Sequence, residues 1–112
     1  MDRVMIVIRS PPHSPKAREG LRLSAAMLGM DFLPLLVFAD GGVHCLRPVQ
    51  LEETSREYLK TISDLVGVKV HIESLNATGL SVEDLDPAFT MSFVSTVQLA
   101  DLAALNHAVA TF

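Results

Sequence analysis

The chain has 112 residues, 49% of them hydrophobic, with 13 acidic against 9 basic side chains and a net charge of −4. That length supports one core, so residues 1–112 are expected to form a single domain; a pI near 5.4, one tyrosine and no tryptophan offer nucleic acid neither a basic footprint nor a stacking platform. Mean hydropathy is +0.35, yet no run reaches the ~20 apolar residues of a membrane span, because Asp31 and Pro34 interrupt the longest one.

The surplus of apolar surface points instead to a subunit interface, and an oligomer is expected. Cys45 is the one cysteine, which excludes an internal disulfide and suits a reducing compartment. The N-terminus opens on a strand pattern and lacks the features of a signal peptide. A cytoplasmic location is the expectation.

In chain order, Val4 to Ile8 is a continuous apolar run, the mark of a strand covered on both faces. A proline-bounded loop follows, Ser10-Pro11-Pro12-His13-Ser14-Pro15. Ser14 reads as a helix N-cap with Pro15 at the first helical position. The helix runs from Lys16 to about Met30, with Gly29 as its stop. Leu21, Ala25 and Leu28 form one stripe and Leu23, Met27 and Met30 lie beside it, a face broad enough to touch both the sheet and another subunit. Phe32 to Ala39 is a second strand pattern, ending at Asp40-Gly41-Gly42.

Strand, helix, strand is a right-handed β-α-β unit, whose ligands collect where strands end. The loops Ser10–Pro15 and Asp40–Cys45 are therefore the places to look. Val43 to Leu46 is a short apolar segment closed by Pro48. A second helix is predicted from about Leu51 to Leu65 and is broken at Gly67. Val68 to Glu73 alternates strictly, with Val68, Val70 and Ile72 on one face and Lys69, His71 and Glu73 on the other. That polar face is solvated, meets a partner, or lines a site. Ser74 to Pro87 is polar connection with a capped turn at Ser81. A fourth strand (Phe89 to Ser95), a third helix (Thr96 to Asn106) and a last strand (His107 to Phe112) complete the chain. The expected fold is α/β: three layers, α/β/α, around a mainly parallel sheet of about five strands.

Six residues in these loops and on the polar strand face are candidate binding residues: His13, Asp40, Gly41, His44, His71 and Glu73. The loop after the first strand has no glycine, and neither G-x-G-x-x-G nor a Walker lysine motif occurs, so no dinucleotide or ATP cofactor is expected. Cys45 has two readings. One is a small buried hydrophobe; the other is a nucleophilic thiolate, its pKa lowered by a helix start after the glycines. His44 beside it is not evidence of a dyad, since neighbouring residues point apart. His13, His44, Cys45 and Glu73 could converge at one end of the sheet, but no H-x-x-x-H or C-x-x-C spacing supports a metal, and none is expected. His107 belongs to the opposite end.

At Ala39-Asp40-Gly41 and Val43, at Ser74-Leu75 and Gly79-Leu80, and in the short last strand ending at Phe112, the chain resembles the DsrE/DsrF family of small sulfur-relay proteins, which includes TusC and TusD types. The opening strand with its proline- and histidine-bearing loop is most similar to the DsrF/TusC branch. The resemblance implies a small α/β subunit in a homo-oligomer, or in a hetero-oligomer with DsrE- and DsrH-like partners, working in persulfide transfer. It also implies a carrier position at the end of the third strand, eight residues before the glycine that matches Gly79. In this chain that position is His71, and imidazole cannot hold a persulfide. Two roles follow as expectations: a structural or partner subunit of the relay, or an active sulfurtransferase using Cys45. A small-molecule or metal-binding module on the same fold is a third.

Overall fold

The computed structural model describes residues 2–112. In chain order it comprises β1 (Arg3–Ile8), α1 (Pro15–Gly29), β2 (Leu33–Phe38), a 3-10 helix (Asp40–Leu46), α2 (Glu53–Val66), β3 (Val68–His71), α3 (Ile72–Ala77), a 3-10 turn (Val82–Asp84), β4 (Met91–Val94), α4 (Thr96–Ala104) and β5 (Ala108–Thr111). The sheet order is β4-β3-β2-β1-β5, and every neighbouring pair is parallel. The α/β expectation holds, with helices on both sides of five parallel strands. Successive strands step outward from β1 to β4, and the last crossover then returns β5 to the far side of β1. The order in which strands are added thus reverses at β1, with β2 on one side and β5 on the other.

Local chemistry sets the elements. Ser14 accepts a hydrogen bond from the Ala17 amide at 3.1 Å, and Pro15 occupies the first turn of α1, as the sequence predicts. Gly20 lets α1 sit close to the sheet: a Cβ there would lie 2.6 Å from Ile8 Cδ1. At the other end Gly29 closes the helix but Asp31, not a glycine, takes the left-handed conformation at φ 64°. Gly67 does so after α2, at φ 74°.

The two faces of the sheet are unequally covered. Toward α1 and α2, Ile6, Ile8, Leu36, Phe38 and Val70 pack with Leu21, Leu59 and Ile62, all fully buried. Each such side chain contributes about 1.5–3 kcal/mol by leaving water. The opposite face buries Met5 and Val37 but has only α4 over it, and no residue of α4 is fully buried. Between that helix and Leu33, Leu35 and Lys69 lies a cavity of about 360 Å³. Val97 (71% exposed), Leu105 (68%) and Val109 (49%) stand open on this side.

Leu23, Ala25, Met27 and Leu28 of α1 pack in part against the core while Met30 beyond them is 66% exposed, and further open apolar side chains lie on α4 and β5. One strand expectation is revised. The third strand does not reach Glu73. It ends at His71, and Ile72–Ala77 is helical, so Ile72 does not continue the buried row and is 36% exposed. The helix takes over because Ser74 and Leu75 face inward instead and become buried. The fourth strand is likewise shorter than expected, with Phe89 buried in the turn before it.

Candidate functional site

A polar rail runs along the carboxyl edge of the sheet, assembled by the residues that end or follow its strands. Arg9 follows β1, Asp40 follows β2, His71 ends β3, and Thr96 opens the helix after β4. Arg9 Nε donates to Asp40 Oδ2 at 2.6 Å. Both side chains are more than half exposed, so the pair positions more than it stabilises. Asp40 has φ 49°, unusual for a residue with a side chain. Its amide is fixed by donating to Ser74 Oγ at 2.7 Å.

The rail continues through the imidazole. His71 Nδ1 meets Ser74 Oγ at 2.6 Å, and Nε2 meets Thr96 Oγ1 at 2.8 Å. The tautomer follows from counting protons. The Thr96 hydroxyl donates its single hydrogen to Glu73 Oε2, so toward His71 it can only accept, and Nε2 must carry the ring proton. In the neutral ring Nδ1 is then the acceptor, and the Ser74 hydroxyl donates to it. The Thr96 amide also donates to Glu73 Oε2, at 2.7 Å. The Thr96 hydroxyl first, and its amide second, hold the Glu73 carboxyl below the ordinary carboxylate range.

Every polar atom of the imidazole is thus engaged. His71 is only 15% exposed at its side chain. Ser74, despite having a histidine partner linked to a carboxylate, is buried and pinned by the Asp40 amide, so its hydroxyl cannot meet a substrate as a nucleophile. The arrangement ties the end of β3 to the start of α4 and to the Asp40 loop. It contains no thiol.

Cys45 lies near this edge but inside the core. It is the penultimate residue of the 3-10 helix rather than at a helix start, 1% exposed, with its thiol toward the Ser10 carbonyl at 3.9 Å. Burial pushes the thiol up to about 12, only partly offset by a backbone hydrogen bond. The lowered-pKa reading therefore does not fit, because Cys45 is buried near the end of the 3-10 helix and not at its start. Gly42 has no room for a side chain: a Cβ would sit 2.0 Å from the Ile8 carbonyl oxygen.

The other sequence candidates do not converge. His13 lies beside Arg18 and Glu52, and His44 Nδ1 faces Arg47 at 3.5 Å. Glu73 joins His71 instead, 3.4 Å from its Nε2. Gly41 sits on the loop beside the Arg9 carbonyl. Among the described residues no three histidine, cysteine or acidic groups gather as metal ligands, and no helix is long and apolar enough to cross a membrane. His107 is at the far edge, its amide donating to the Arg3 carbonyl at 2.9 Å. Sequence reasoning missed Arg9, Ser74 and Thr96. The available signal was positional, since each stands within a few residues of a predicted strand end.

The family model described as the DsrE/DsrF-like family matches residues 2–112. No curated protein matches the chain. Among solved structures, the ychN protein from E. coli superposes with a TM-score of 0.81 at 21% identity, covering 100% of both chains. MTH1491 from Methanobacterium thermoautotrophicum, described as a protein of unknown function, superposes at 0.78 and 14% identity, again over 100% of both. At these identities the two likenesses speak for the fold.

Proposed function

The chain belongs to the DsrE/DsrF-like family, and we propose that within it this protein is a partner subunit of a sulfur-relay assembly that does not itself carry the sulfur. Family membership supports a sulfur-relay-related role. The observation that carries the finer reading is at the end of β3, where a carrier thiol would stand. His71 occupies that place with both ring nitrogens hydrogen-bonded. Cys45, the one other place for sulfur, is buried and raised to about 12, so almost none of it is thiolate near neutral pH.

A subunit of this kind works through contact. The half-covered sheet face under α4, with Val97, Leu105 and Val109 open, supplies apolar surface for a second copy or a DsrE- or DsrH-like chain. A single reduced cysteine fits assembly in the cytoplasm.

The reading is tested by mixing the protein with a family subunit that has a cysteine at the carrier position and is already loaded as the persulfide. The expected result is co-elution in size-exclusion chromatography, with intact mass showing the extra sulfur on the carrier alone. Leu105→Glu combined with Val97→Glu should abolish co-elution while leaving the fold intact by circular dichroism. Transfer of sulfur onto Cys45, or failure of the chain to associate either with itself or with such a subunit, contradicts it.

A further inference from the structure

We infer that the cavity under α4 binds a small organic anion with an apolar body, a medium-chain or aromatic monocarboxylate. This goes beyond the relay reading and does not rest on it. The cavity holds about 360 Å³, within the ~300–1,000 Å³ range of small-molecule sites. It exists because the covering helix is short. The nine residues of α4 make about 13 Å of helix, whereas five strands side by side span about 19 Å. Leu33 and Leu35 are therefore only half-buried, although they belong to β2, the middle strand of the sheet. Leu102 of α4 and Leu105 just after it supply apolar wall from the helix side, and Lys69 of β3 and Arg3 of β1 supply charge.

Those charges select the head group. Two cationic side chains and no carboxylate line the cavity. Among the described residues neither Lys69 nor Arg3 makes an ion pair. The acidic residues closest to them along the chain are engaged elsewhere, Asp64 with Lys60 at 2.6 Å and Asp2 toward His107 at 3.8 Å. Lys69 carries most of the argument, since it is half-buried on the sheet. Its Nζ donates to Ser92 Oγ at 2.8 Å, the residue beside it on β4. That neutral partner holds the ammonium in place and leaves it two protons to donate.

A partly desolvated cation without a counter-charge gains from an arriving carboxylate, and the leucines take up the hydrocarbon. A polyanion such as a nucleotide is disfavoured, because it would have to desolvate further charge against apolar walls. Val97 and Val109, open surface in the relay reading, are not among the walls, so ligand and partner are separable.

The experiment is an NMR titration of the full chain, observing backbone amides and leucine methyls, with sodium hexanoate and, separately, with hexan-1-ol at matched ionic strength. The expected result is saturable shifts at the methyls of Leu33, Leu35, Leu102 and Leu105 and at the Lys69 amide, with Kd for hexanoate on the order of 1 mM. Hexan-1-ol should bind at least about fivefold more weakly, since it keeps the apolar body and lacks the charge. Lys69→Met retains the stem of the side chain and removes its ammonium; it should weaken hexanoate about tenfold and leave hexan-1-ol nearly unchanged. The comparison of the two ligands on the native protein stands even if that variant fails to fold. Shifts confined to Val97 and Val109, hexan-1-ol binding as tightly as hexanoate, or an unchanged hexanoate affinity in Lys69→Met would overturn the inference. Neither hexanoate nor Lys69 enters the co-elution test, so the two readings fail separately.

Discussion

Cys45 and His71 stand near the same edge of the sheet and have opposite surroundings. Cys45 is enclosed by the core, with its thiol toward the Ser10 carbonyl. His71 is held among hydroxyls and a carboxylate at the surface end of β3. The residue with sulfur chemistry is where chemistry is suppressed, and the residue without it stands at the end of β3, the position the family resemblance implies for a carrier. Residue type alone therefore misassigns the site. Solvent access and proton partners decide what a side chain can do.

Three changes sharpen that contrast. The largest effect belongs to the packing around Cys45. Gly42→Ala would drive a methyl into the Ile8 carbonyl oxygen at 2.0 Å, so the 3-10 helix must move off the end of β1. A loss of about 3 kcal/mol is expected, read as a fall of roughly 12–15 °C in thermal midpoint. A change below ~2 °C would show that the loop is not tightly packed.

The second effect is alkaline. The Cys45 thiol titrates near 9.0 when unfolded and at about 12 when folded. Between those values the unfolded chain releases the proton and the folded chain keeps it. Stability from this group is thus complete below pH 9 and declines as pH rises toward 12, by roughly 1.4 kcal/mol per unit. Urea unfolding at pH 9.5 and 10.5 should show this decline in the native protein and a smaller one in Cys45→Ala. Identical slopes would mean that the thiol is not buried.

The smallest effect is at the rail. Ser74→Ala removes the acceptor of the Asp40 amide and the donor to His71 Nδ1, at a cost of about 1–2 kcal/mol. Hydrogen exchange at the Asp40 amide should accelerate, and the His71 Nδ1 ¹⁵N shift should move as its donor is lost while the Nε2–H tautomer, set by Thr96 and Glu73, is kept. An unchanged Nδ1 shift would show that Ser74 does not donate to the ring.

Much of the architecture was legible because continuous apolar runs, Ser14-Pro15 and Gly67 carry local physical signals for buried strands, a helix start and a helix stop. Where the reading slipped, long-range packing outweighed local pattern. Alternation through Val68–Glu73 favours a longer strand, but burying Ser74 and Leu75 beneath the Asp40 loop turns the chain into α3 after His71. The apolar stripe of α1 is equally real, yet only the packed sheet tells that α4 is left half-covered. At the site, His71 and Glu73 were found by pattern on a shared strand face and meet for a different reason: Thr96 arrives from β4 and ties them together. No sequence spacing encodes a contact across 23 residues.

The central claim, that sulfur has no place to bind on the native chain, is tested most directly by intact mass after incubation with polysulfide at neutral pH. Three proteins are compared: native, Cys45→Ser, and Cys45→Ser combined with His71→Cys. The account predicts no added sulfur on the first two and one added sulfur on the third, because a thiol at the end of β3 is reachable and one in the core is not. One added sulfur on the native protein that disappears in Cys45→Ser would contradict it and make Cys45 the carrier.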